Sequence, residues 1–160
     1  MLPEETKTVR DAYMFSRDLF ERNGYGHTAY QAEKLLNKGL LAMKEEVIEK
    51  IEELDMSNAD DFNKKLFYEG LLICFDAVMN YAKRYSQKAL EMAGSETNLQ
   101  RKKELEKIAD VCAWVPANPA RDTWDALQVI QFMQIIIQLE TNGDSVSPGR
   151  MDQYLYPYFK

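Results

Sequence analysis

Along this chain apolar residues recur at steps of three and four in five stretches, the spacing of one face of a helix. The first carries Val9, Ala12, Tyr13, Ser16, Leu19 and Phe20, and stops before Asn23-Gly24. A short Gly-Tyr-Gly-His turn to Thr28 follows. The second stripe is Leu36, Leu40, Met43, Val47, Ile51 and Leu54, and the charged run from Lys44 to Glu53 between its members reads as a solvated face. The third stretch is long, with Ser57 and Asp60 as expected caps and Phe62, Leu66, Ile73, Ala77, Tyr81 and Tyr85 along its expected core side. It reaches Ala93 and ends at Gly94. Asn98 is placed to cap the fourth, whose stripe is Leu105, Ile108, Ala109 and Cys112. Prolines at 116 and 119 predict a rigid extended connection from Val115 to Ala120, because each disfavours a helical residue before it. Asp122 then caps a fifth helix.

That fifth helix differs from the others. From Trp124 to Leu139, 11 of 16 residues are apolar and Asp125 is the only charge. A helix hydrophobic on nearly all sides is buried on most of them, and four amphipathic neighbours are too few to wrap it. It is expected to be an interior helix of something larger than this chain. Beyond it, Asn142-Gly143-Asp144 signals a turn, Ser145-Val146-Ser147 a short extended stretch, and Pro148-Gly149 a break. The tail from Tyr154 to Phe159 concentrates aromatic residues that would make an awkward free surface.

Composition narrows the classes. The 160 residues are 46% hydrophobic and 29% charged, which excludes a disordered or low-complexity segment. Twenty basic residues face 26 acidic ones, a net charge of −6, which disfavours nucleic acid and anionic membrane surfaces as partners. The most apolar run is broken by four glutamines and falls short of the ~20 residues that span a bilayer. No amino-terminal signal is apparent, so a cytoplasmic protein is expected. Cys74 and Cys112 stand 38 positions apart, with one histidine, His27, in the whole chain. That excludes a disulfide framework and a Cys/His zinc site, and both thiols are expected to be small core residues. A di-iron bundle needs two Glu-x-x-His pairs and is excluded as well. No phosphate-binding glycine loop or serine nucleophile elbow occurs.

Few residues remain for chemistry. His27 titrates naturally near neutrality and sits among glycines that leave its ring accessible. A structural or surface role for it stays open at this point. Asp144 and Ser145 form a second polar cluster, whose simpler reading is a turn bonding its own backbone. Arg150 and Asp152 are expected to form a local ion pair.

Several of these segments together resemble a known family. Gly149-Arg-Met-Asp-Gln-Tyr-Leu-Tyr-Pro-Tyr158 is similar to the GRxDQYxYPY signature of the pyruvate formate-lyase-like glycyl radical enzymes. Arg22 to His27 resembles the family's upstream GH turn, and Ala82-Lys-Arg-Tyr85 its RYA helix. Cys112 to Ala120 resembles its VPxxPA connection, and Trp124-Asp-Ala-Leu-Gln128 its FxEALQ helix. The matches fall in the family's order over nearly the whole chain.

The resemblance implies a chain that is mainly α, the helical part of a ten-stranded α/β barrel. The helical region would run over 1–140 and a first barrel-wall segment over 141–160. It implies a dehydratase or C–X lyase whose glycyl radical makes a cysteine thiyl radical that abstracts hydrogen from substrate. Leu19, His27, Asp144 and Ser145 would then line the substrate pocket, with His27 delivering the proton that lets water leave. A histidine in the GH turn is similar to the branches that dehydrate glycerol, propanediol or hydroxyproline, whereas the choline-cleaving branch has an acid there. Glycerol-type members often carry histidine before the serine. Asp144 in that place points instead toward a cationic substrate such as hydroxyproline.

The family's Gly-Cys-x-Glu loop and its terminal glycyl loop have no counterpart here. The chain is therefore expected to be a fragment, inactive alone, with no cofactor bound and the radical glycine outside it. Its parent would be a homodimer activated by a radical-SAM enzyme. The alternative is a stand-alone helical interaction module without catalysis.

Overall fold

The computed structural model of the chain describes residues 28–140 and 146–159. The expected first helix with Leu19, His27 at the end of the GH turn, and the turn with Asp144 and Ser145 lie outside the described residues. Those described are mainly helical: α1 (Ala32–Glu52), α2 (Ala59–Ser95), α3 (Leu99–Trp114), α4 (Thr123–Glu140) and the single turn α5 (Met151–Tyr154), followed by a 3-10 turn over Tyr156–Phe159. The one sheet among them is a parallel pair of two-residue strands, β1 (Thr28–Ala29) and β2 (Val146–Ser147).

Side-chain caps set three helix starts. Asn98 caps α3 as expected, its amide oxygen accepting the Gln100 and Arg101 backbone N–H groups at 2.9 and 3.1 Å. We expect Asn98→Ala to cost about 1 kcal/mol in urea unfolding, the usual value of such a cap. At α2 the cap is neither Ser57 nor Asp60 but Asn58, which accepts the Asp60 N–H at 2.9 Å. The Ser57 hydroxyl is engaged elsewhere, donating to Asp55 Oδ1 at 2.8 Å. At α4, Asp122 Oδ1 accepts the Asp125 N–H at 3.0 Å, the cap its sequence predicts.

The second stripe runs through a break its periodicity conceals. Gly39 interrupts α1 with φ 73° and ψ 167°, a backbone conformation open to glycine alone. Breaking the helix there frees backbone groups that the 115–120 connection takes up. Leu40 and Leu41 donate their N–H groups to the Pro116 and Ala117 carbonyls at 2.9 and 3.0 Å, and Ala120 donates to the Leu36 carbonyl at 2.9 Å. The connection is accordingly a compact turn, not the extended stretch expected. Val115 is extended, as a residue before proline should be, but Asn118 N–H already returns to the Trp114 carbonyl at 3.1 Å.

Around this junction lies the main core, built from Leu35, Leu36 and Leu40 of α1, Val111 and Val115 at the end of α3, Val129 and Ile130 of α4, and Leu155 after α5. A smaller cluster joins Ala82, Cys112 and Phe132, with Tyr81 and Tyr85 meeting the Phe132 ring edge-on, centroids 6.1 Å away.

The long helix α2 reverses the expected sidedness. The residues it buries are the small ones, Ala82, Ser86, Ala89 and Ala93, which let α3 lie close against it. Ser86 Oγ donates to the Ala109 carbonyl across that contact at 2.8 Å. The large stripe expected to face the core is instead exposed at Phe62, Leu66, Ile73 and Tyr85. Cys74, expected inside, is exposed with it, whereas Cys112 is buried. Burial pushes the Cys112 thiol up to about 11, so it stays protonated and inert.

Candidate functional site

The tail folds back onto the start of the described chain, and the parallel strands are the seam. Thr28 pairs with Val146 and Ala29 with Ser147. Three elements fix that seam. From α4, Gln134 Nε2 donates to the Val146 carbonyl at 3.4 Å. From α5, the Tyr154 hydroxyl donates to the Pro148 carbonyl at 2.5 Å. Further on, Thr123 Oγ1 donates to the Tyr158 carbonyl, and the Tyr158 hydroxyl reaches Asn37 Oδ1 at 3.3 Å. Arg150 and Asp152 form the local ion pair expected of them, with two contacts of 2.9 and 3.1 Å.

Next to the seam is a cleft of about 440 Å³ between the start of α1 and the Pro148–Tyr154 segment, lined in part by Tyr30, Glu33, Arg150, Gln153 and Tyr154. The hydroxyl of Tyr30 is buried without a hydrogen-bond partner among the described residues, as is Gln134 Oε1 on α4, outside the cleft lining. Nothing in the sequence singled out either group, since an orphaned polar atom becomes visible only once its surroundings are fixed. Burial, and then the nearby Tyr154, push the Tyr30 phenol up from 10.0 to about 12. A raised phenol keeps its proton while the unfolded chain loses one, so its stabilising contribution fades as the pH climbs from 10 to 12. Phenolate absorbance should therefore lose a late-titrating component in Tyr30→Phe, while Tyr81, Tyr154 and Tyr158, which are also raised, keep theirs. That variant should be no less stable than the parent, because it deletes an unsatisfied hydroxyl.

Among the described residues, no group of three or more His, Cys, Asp or Glu is placed to hold a metal, and no helix is long and apolar enough to cross a membrane.

The helical scaffold is shared by glycyl radical dehydratases and lyases. The structure of the 1,2-propanediol-dehydrating protein of Roseburia inulinivorans superposes with a TM-score of 0.85 at 41% identity, over 99% of this chain and 19% of that one. The chain belongs to the pyruvate formate lyase-like family, whose model matches residues 1–160. It is 45% identical over 130 residues to an isethionate sulfite-lyase of Nitratidesulfovibrio vulgaris, covering 80% of this chain and 16% of the relative. It is 36% identical over 152 residues to the trans-4-hydroxy-L-proline dehydratase of Clostridioides difficile, covering 94% and 19%. The chain thus spans under a fifth of the length of these relatives.

Proposed function

We propose that this chain works as the helical flank and one wall of the substrate pocket of a glycyl radical dehydratase or C–X lyase. In this reading residues 1–140 are the helical region and 141–160 the first wall segment of the barrel. His27 is the proton donor, and Leu19, Asp144 and Ser145 contact substrate. The observation that carries the reading is the register of the parallel pair, Thr28 against Val146. That pairing joins the strand that follows position 27 in sequence to the strand that follows position 145.

The chemistry suits the residue types. Elimination from a substrate radical expels a leaving group that needs a proton, and an imidazole near neutrality supplies one. A serine hydroxyl can orient a substrate hydroxyl, and an aspartate can hold a cationic ammonium. Hydroxyproline or a small diol satisfies that set. The radical glycine, the thiyl cysteine, the radical-SAM activating enzyme and the homodimeric state belong to the larger enzyme, and the chain alone is inactive.

In the full-length enzyme that carries this chain, His27→Gln should lower turnover by about 10²–10⁴-fold, the usual worth of a general acid. The thermal midpoint should stay in place. Unchanged turnover would remove His27 from the mechanism.

A further inference from the structure

The exposed stripe of α2 has a glycine at its middle. Gly70 sits inside a 37-residue helix, where glycine is a poor helix former, and a Cβ built on it would meet nothing within 4 Å. Around it stand exposed apolar side chains: Leu66 at 54%, Phe67 at 64% and Ile73 at 71% relative exposure, with Cys74 beside them. The stripe runs on into an apolar groove of about 390 Å³ shared with α4, where Cys74, Ala77 and Tyr81 face Met133, Ile136 and Ile137. A gap in a row of large side chains is a saddle into which another backbone fits closely. The charges flanking the saddle are already matched within α2, Lys64 to Asp61 at 2.7 Å and Lys65 to Glu69 at 3.7 Å. The surface therefore asks for an apolar partner and not a charged one.

We propose that this face of α2 and α4 is the seat of an amphipathic helix supplied by the larger pyruvate formate lyase-like body, crossing α2 at Gly70. This rests on the reading above that the chain is part of such an enzyme. Two facts favour that occupant over a second copy of the chain. The same scaffold, superposing over 99% of this chain, sits in a relative of which it is only 19%. The uncovered surface also continues onto α4, whose apolar residues surround it nearly completely, so the covering layer must reach two helices at once.

Cys74 is a built-in reporter at the edge of the saddle, and buried Cys112 is its internal control. The chain is co-expressed with the remaining polypeptide of the hydroxyproline dehydratase relative, and both the chain alone and the purified complex are treated with N-ethylmaleimide. Cys74 should react quickly in the chain alone and at least roughly tenfold more slowly in the complex, as a site that reacts only on local opening does. Cys112 should stay unmodified in both. Gly70→Leu should leave the thermal midpoint of the chain alone unchanged or raised, because leucine is the better helix former, yet abolish the complex. Equal Cys74 reactivity in chain and complex, an intact complex with Gly70→Leu, or failure of the wild-type chain to form the complex overturns the proposal. So does a dimer of the chain alone in which Cys74 is protected, which would assign the saddle to a second copy. Protection of Cys74 together with unchanged turnover in His27→Gln would sink the pocket assignment and leave this one standing.

Discussion

Gly39→Ala should cost about 3–5 kcal/mol, read as a drop of roughly 10–15 °C in the thermal midpoint and a lower urea midpoint at unchanged slope. Two separate penalties meet at this position. The backbone φ of 73° is one that a residue with a Cβ adopts only at a cost. The new methyl would also lie 2.5 Å from both the Ala117 carbonyl oxygen and the Asn118 carbonyl carbon, so the 115–120 turn must move. Moving it loosens the three backbone hydrogen bonds that Leu40, Leu41 and Ala120 make across the junction. Gly149→Ala is the control. Gly149 has the same φ of 73° but open space where its Cβ would stand, so it carries only the conformational penalty, about 1 kcal/mol. Equal losses at the two positions would show that the turn does not plug the break in α1.

Asp125→Ala should be the other severe loss, about 2–3 kcal/mol, below the range for a fully buried ion pair because the Arg121 side chain stays 38% exposed. Asp125 is fully buried, at 0% exposure. Its carboxylate accepts the Arg121 backbone N–H at 3.0 Å, the Arg121 Nε–H at 2.7 Å and the Nη2–H at 3.1 Å. The same guanidinium reaches Asp110 at 2.9 Å and stacks on the Trp114 ring, its Cζ 5.0 Å from the ring centre. Hydrogen bonding to Asp125 holds that guanidinium firmly in its charged form. One arginine thus ties α3 to the start of α4. Arg121→Ala should cost at least as much, because it leaves a buried carboxylate without its cation. Arg121→Lys should not rescue it, since an ammonium cannot reproduce the planar fork. The losses from Arg121→Ala and Asp125→Ala should fall well short of additive in the double variant. Strict additivity in urea unfolding would show that the two residues act independently.

Asp125 also shows how far the sequence could be read. It stood out as the one charge on an apolar helix, but its partner could not be identified, because Arg121, Lys107 and Arg101 all precede it and only the packing of the helices decides which comes near. Asn98 and Asp122 were legible as caps because capping is local: a side chain bonds a backbone group two or three residues on. The Gly39 break was not legible. Its cause is a turn more than 75 positions downstream, and the stripe from Leu36 to Val47 reads the same with or without it. The order of the family segments along the chain identified the pyruvate formate lyase-like family, and the matching of residues 1–160 agrees. For the candidate site, the residue types at 27, 144 and 145 came from sequence, and the nearness of their flanking strands came only from the register of β1 on β2.

By itself, then, the sequence determined what depends on neighbours: the helices from α1 to α4, two of their caps, the buried Cys112 and the family. The tertiary structure decided which faces are covered. On α2 the periodicity marks Phe62, Leu66 and Ile73 as a stripe to be buried, yet the chain buries Ala82, Ser86 and Ala89 instead. Hydrophobic burial has no direction of its own. A stripe records that an apolar partner is wanted, and close packing of small residues against α3 settles which side the described residues supply it to.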